Sequence, residues 1–278
     1  MTYANPSEIV TEIIMSRETH PWLAVEGYSD EMLLRYRNFS RPVKVVVGHG
    51  WEGVKDILCE FSKEKSEAVL VGLIDRDYRD HCGCQISIES LVLTDMRDVE
   101  NMMFNSSALT RVFSEYGSAA KLPALVDGRV DVNGIRSKVY SAAVQIGRLR
   151  IYCEHNGFGV SFRNVEHKKF MCDRTLSIDV QSLLAHVNGK NQGKRSLVMS
   201  DWTSSQSMSW TGSLGRDEFI SNGHDVMAIA ALALRRLWGT NGGDINGESM
   251  EGYFRVGYSD ADLESSPMWN QLDRHIQS

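Results

Sequence analysis

Three short apolar runs, each ending in carboxylates and separated by stretches of helical period, restrict this chain to an open α/β sheet. Trp22 to Val25 runs into Glu26-Gly27, with Asp30 four residues beyond the glutamate. Ala68 to Ile74 ends in Asp75-Arg76-Asp77, and Leu91 to Leu93 is followed by Asp95, Asp98 and Glu100. A further β-branched run, Val43 to Val47, reads as a buried strand that stops at Gly48-His49-Gly50. Strands alternating with helices of about ten residues form βαβ units and a mainly parallel sheet. Ligands of such sheets collect outside the carboxyl ends of the strands, which is where these acids fall. Carboxylates massed there are hard oxygen ligands for a divalent cation such as Mg²⁺. Without a cation they would raise one another's pKa.

Helices fill the gaps between the strands. PSEIVTEIIMS, residues 6 to 16, places Ile9, Ile13 and Ile14 on one face of a short helix. Ser29 is positioned to cap a helix over 31–39 with Met32, Leu33, Tyr36 and Phe39 as its buried stripe. A helix over 52–64 turns Val54, Ile57, Leu58 and Phe61 inward. The expectation is a compact α/β core over residues 1–104, followed by a mostly helical C-terminal region over 105–278. In the latter, helices are expected at 106–116 and 130–150. The second directs Val139, Ala142, Ala143 and Ile146 inward and leaves Arg136, Lys138, Arg148 and Arg150 to solvent. SIDVQSLLAHV is a further helix, and 224–238 a strongly apolar, buried one. The Ser/Thr/Gly-rich stretch 199–216 reads as an ordered loop or a flap, and a Gly-rich link and polar tail from 239 close the chain.

A net charge of −6 excludes a uniformly basic nucleic-acid coat but not a local basic groove. The five cysteines form no disulfide framework. No apolar run reaches the roughly 18–20 residues of a membrane span, and the acidic N-terminal stretch lacks the basic start of a signal peptide. A soluble, cytoplasmic protein without a membrane partner is expected.

Each candidate residue has a plain alternative. Asp30 is either a ligand or an acid favoured by the first turn of a helix. Asp75 and Asp77, one residue apart at a strand end, either share a cation or sit in a solvated loop. Arg76 and Arg79 contact phosphate or pair with the neighbouring acids. His49 touches substrate or serves the turn. His81, Cys82 and Cys84 offer soft ligands, yet Cys-x-Cys lacks the usual zinc spacing and a second pair. Lys168 and Lys169 with Arg163, and Lys190, Lys194 and Arg195, are either RNA backbone contacts or solvated faces. Trp202 and Trp210 stack on bases or fill a core. His224 caps the apolar helix or completes a site. GHGWEG lacks the Lys-Ser/Thr of a phosphate-binding loop, so any ATPase activity belongs to a partner.

Taken together, VEGYSD, LIDRD and TDMRDVEN resemble the Toprim domain, the metal-dependent fold shared by topoisomerases, bacterial primases and OLD-family nucleases. They are most similar to the Toprim-like DUF4435 proteins of bacterial defence islands, among them the nuclease subunits of the PARIS anti-phage system. The motifs cover about residues 22–104, with weaker echoes at Lys168-Lys169-Phe170 and Asn222-Gly223-His224-Asp225. The resemblance implies a Mg²⁺- or Mn²⁺-dependent endonuclease with Glu26 as general acid or base. It implies Asp30, Asp75, Asp77 and Glu100 as metal ligands, with Asp95 and Asp98 as weaker candidates. Arg76, Lys168 and Lys169 would meet substrate. The implied substrate is RNA, in that system host tRNA. The implied partner is an ABC-type ATPase that holds the nuclease until a phage anti-restriction protein is sensed, and the active form is implied to be a homodimer. Two alternatives remain open: a catalytically silent docking subunit of the ATPase complex, and a DNA-cleaving OLD-like nuclease.

Overall fold

The computed structural model describes residues 5–16, 20–240 and 245–277. The start of the acidic N-terminal stretch and most of the Gly-rich link lie outside them. The chain divides into two compact units: Met1–Arg76, Gln85–Asp95 and Ser259–Ser278 form one, Asp77–Cys84 and Met96–Tyr258 the other. Beside the expected core of 1–104, the first unit includes Ser259–Ser278, and Asp77–Cys84 and the stretch after Asp95 fall in the second.

The first unit is an α/β layer structure. Its elements are α1 (Pro6–Met15), β1 (Trp22–Val25), α2 (Tyr28–Leu34), β2 (Lys44–Val47), α3 (Trp51–Phe61), β3 (Leu70–Ile74) and β4 (Leu91–Leu93). The four strands are parallel in the order β2-β1-β3-β4. β1 and β3 are central and buried along their whole length, which explains their unbroken apolar sequence. β2 is an edge strand and only half-buried, so its β-branched run does not mark full burial. Alternate residues face opposite sides. Trp22, Ala24, Leu70, Ile74 and Leu91 pack with Ile9, Val10 and Ile13 of α1 and Val54, Ile57 and Leu58 of α3. α1 buries Val10 rather than Ile14, which is exposed.

The expected stripe of the helix after β1 is only half correct. That helix starts from Gly27 rather than Ser29 and ends at Leu34. It buries Leu33 and Leu34, whereas Met32 and Tyr36 are 65% and 85% exposed. Phe39 lies beyond the helix and stacks on Trp269 at 4.2 Å. Trp269 belongs to α14 (Pro267–Gln277), which follows α13 (Asp260–Glu264). α14 packs on β3 and β4 with Met268, Trp269, Leu272 and Ile276 buried. The supposed polar tail is thus part of the sheet unit's core.

The second unit is helical: α4 (Arg79–Cys82), α5 (Val99–Phe104), α6 (Ala108–Tyr116), α7 (Val132–His155), α8 (Val180–Lys190), α9 (Met199–Gln206), α10 (Asp217–Ile220), α11 (Gly223–Ala233) and α12 (Gly247–Gly257). α7 buries Val139, Ala142, Ala143 and Ile146 as expected. Arg150 does not face solvent: it pairs with buried Asp225. α9 occupies the first half of the expected flap, with Asp201 and Ser205 buried. α11 packs against α5, α7 and α12 and is buried over most of its surface. Among the described residues no helix is long and apolar enough to cross a membrane.

Candidate functional site

The sheet unit collects carboxylates where strand order reverses. β2 lies on one side of β1 and β3 on the other, so the crevice at the carboxyl ends of β1 and β3 is the switch point at which open α/β sheets bind ligands. Val25 pairs in register with Leu73, placing Glu26 just past one strand end and Asp75 just past the other. The Asp75 N–H donates to Glu26 Oε1 at 2.8 Å, and the Gly50 N–H donates to the Glu26 carbonyl at 2.9 Å. Both acids are half-buried. Asp30 Oδ2 accepts the Gly27 N–H at 2.9 Å and so closes the first turn of α2.

The neighbouring turn is tight. A Cβ on Gly53 would lie 1.8 Å from the Gly48 carbonyl oxygen, so α3 starts against the end of β2 only because residue 53 is glycine. His49 takes a left-handed backbone, φ 60°, with its ring edge-on to Tyr28 at 5.8 Å. The Arg76 N–H donates to Thr94 Oγ1 at 3.0 Å, and its Nε to the Thr94 carbonyl at 3.1 Å. Asp95 Oδ1 accepts the Met268 N–H at 2.8 Å at the start of α14, a structural use. Burial pushes the Asp95 carboxyl up, against that hydrogen bond and Arg76. Glu26 and Asp75 meet through the Asp75 N–H, while the carboxylates of Glu26, Asp30 and Asp75 form no group of three within 4.8 Å among the described residues.

Asp77 and Glu100 belong to the helical unit. Asp77 has φ 52°; Arg97 approaches its Oδ1 at 3.2 Å and Arg79 its Oδ2 at 3.3 Å. Arg79 is thus an ion-pair partner here, and Arg97, packed over the Tyr78 ring at 4.2 Å, also pairs with Asp98.

Asp98 organises the start of α5 and of α11. Its Oδ1 accepts the Asn101 N–H at 2.9 Å and the Asn101 side chain at 2.7 Å, and its Oδ2 accepts the Gly223 N–H at 2.8 Å. A Cβ on Gly223 would lie 2.3 Å from Asp98 Oδ1 and 2.5 Å from Glu100 Cβ. The absence of a side chain at 223 therefore lets α11 approach α5. Asn222, not His224, caps α11, accepting the Asp225 N–H at 3.2 Å.

Three metal-ligating side chains converge beside this junction. Donor atoms of Glu100 on α5, His224 on α11 and Glu251 on α12 all lie within 4.8 Å of one another, the one such group among the described residues. His224 Nδ1 is 2.7 Å from Glu251 Oε1. Glu100 is 6% exposed. Burial first, then the Asp98 and Glu251 charges, push its carboxyl up to about 7, with His224 opposing. The Glu251 carboxylate, with Glu100 and Asp98 behind it, raises His224 to about 9 against the cost of desolvation. Below this junction Arg150 holds Asp225 through Nε at 2.8 Å and a second nitrogen at 2.7 Å, and His167 Nε2 reaches the same carboxylate at 3.0 Å. Although burial alone would raise the Asp225 carboxyl, Arg150 and His167 hold it well below the usual range.

The basic stretches divide. Lys168 and Arg163 are exposed, and Lys168 lines a cleft of about 290 Å³ with Arg235 and Asn246. Lys169 pairs with Glu166 at 2.8 Å. Lys190 bonds the Asn164 carbonyl, Lys194 the Gly159 carbonyl at 2.5 Å, and Arg195 pairs with Asp201 at 2.8 Å over the Phe158 ring. These last three tie loops together rather than forming a groove. His81 Nε2 donates to the Leu214 carbonyl at 3.0 Å, and the ring is packed edge-on by Trp210 at 4.9 Å. Cys82 and Cys84 join no metal-ligating group among the described residues.

Glu251 went unrecognised in the sequence because ESMEGYFRVG carries no ligand motif. Only the Asn-Gly-His-Asp echo pointed to its partner, His224. No protein-family model matches the chain, and a search of curated proteins finds no match.

Proposed function

We propose that this chain is a Mg²⁺- or Mn²⁺-dependent endonuclease that acts in the cytoplasm on RNA, with tRNA as the expected substrate. The observation that carries it is the meeting of Glu26 and Asp75 across the carboxyl ends of neighbouring parallel strands at the switch point, Asp75 N–H to Glu26 Oε1 at 2.8 Å. Asp75 and Asp30 would hold the metal. Such an ion stabilises charge on a phosphoryl group and acidifies bound water. Glu26 then holds or releases the proton that hydrolysis requires, as a positioned carboxyl does in general acid–base catalysis. Five free cysteines accord with a reducing compartment. An ABC-type ATPase partner that restrains the nuclease, and a homodimeric active form, complete the proposal on the strength of the resemblance.

A second reading has its own observation: Asp77 is paired with Arg97 and Arg79, an arrangement that also suits a silent docking subunit. Incubating the partner-free chain with total cellular RNA and supercoiled plasmid, in Mg²⁺ or EDTA, separates the cases. Discrete Mg²⁺-dependent RNA fragments are expected. Plasmid nicking alone would favour the OLD-like reading, and inertness towards both the docking subunit.

A further inference from the structure

We infer that Glu100, His224 and Glu251 form a site for a transition-metal ion of the Zn²⁺ type within the helical unit. The donors come from three helices, α5, α11 and α12, and lie within 4.8 Å of one another. Two carboxylates and one imidazole differ from the all-oxygen sets that suit Mg²⁺. Imidazole nitrogen selects borderline ions such as Zn²⁺, and three protein ligands leave a position for water.

A second observation points to a cation. Glu100 is 6% exposed, and its carboxylate shares the space within 4.8 Å with a second carboxylate, Glu251, and only one imidazole, His224. Two carboxylates against one imidazole leave a net negative charge even with the imidazole protonated, and a cation offsets it. The scaffold around it is fixed: Asp98 anchors the Gly223 N–H at 2.8 Å, and glycine at 223 lets His224 approach α5. None of Glu26, Asp30 and Asp75 belongs to this group of donors.

The test uses the full chain carrying Glu26→Gln and Asp75→Asn, so that the strand-end carboxylates do not contribute. ZnCl₂ is titrated calorimetrically, and CoCl₂ is followed by its visible absorption. One Zn²⁺ per chain is expected, undisplaced by about a hundredfold excess of Mg²⁺. Adding His224→Ala should weaken Zn²⁺ at least about tenfold and remove the nitrogen-dependent change in the Co²⁺ spectrum. Glu251→Gln should weaken it likewise, and supplies the same readout if the alanine variant does not fold. Absence of Zn²⁺ binding, displacement by Mg²⁺, or indifference to both substitutions would overturn the site. None of these outcomes depends on nuclease activity.

Discussion

At the scale of single residues, the junction of α5 and α11 rests on close approach and on buried charge. Gly223→Ala would force a Cβ to within 2.3 Å of Asp98 Oδ1 and 2.5 Å of Glu100 Cβ, so neighbouring atoms must move. Overpacking of this kind costs about 1–3 kcal/mol, readable as a lower urea midpoint. Asp225→Asn should cost more. It leaves Arg150, 15% exposed, without its carboxylate, and breaking a buried pair costs about 3–5 kcal/mol. Glu100 sets a pH dependence of the opposite kind. Its carboxyl, ordinarily at 4.5, is raised to about 7 by burial and by Asp98 and Glu251, with His224 opposing. The folded protein therefore holds this proton more tightly than the unfolded chain. The contribution to stability is full below the unfolded pKa of 4.5 and is lost as pH rises through about 7. Urea unfolding of metal-stripped protein should show stability falling as pH rises from about 4.5 to 8, with His224 adding to the fall above pH 6.5. Glu100→Gln should remove the part of that fall between about pH 4.5 and 6.5; an unchanged slope there in the variant would refute the assignment.

At the scale of elements, α14 closes the sheet unit from the far end of the chain. Leu272 and Ile276 are fully buried and Trp269 nearly so. Leu272→Ala should destabilise by about 2–5 kcal/mol in thermal or urea unfolding; a change within a few tenths would mean that α14 is peripheral. The sequence PMWNQLDRHIQ hid this role, because four apolar residues at helical spacing are diluted by polar ones and carry no motif. The central strands were legible for the converse reason: burial on both faces leaves them uniformly apolar. β2 shares that composition but lies at the sheet edge, a position that tertiary pairing alone decides. α2 ends at Leu34, two residues short of Tyr36, and turns Leu33 and Leu34 inward in place of Met32, so the expected stripe does not form. Of the candidate site, Glu26 and Asp75 could be read from their strand ends. Glu251 could not, since its place beside Glu100 and His224 depends on α12 packing against α5 and α11.

At the scale of the whole molecule, the chain builds its sheet unit from three separate segments and its helical unit from two. The sheet unit carries the Glu26–Asp75 strand-end pair, and the helical unit carries the Glu100–His224–Glu251 group. The proposed nuclease activity rests on the Glu26–Asp75 pair. Glu26→Gln keeps an oxygen that can accept the Asp75 N–H but removes the ionisable carboxyl, so folding and proton transfer can be told apart. The decisive measurement is the initial rate of Mg²⁺-dependent RNA cleavage by wild type and Glu26→Gln, with unfolding midpoints matched. Loss of at least about a hundredfold in rate is expected, the scale of general acid–base catalysis. A Glu26→Gln protein that cleaves at the wild-type, Mg²⁺-dependent rate would contradict the account.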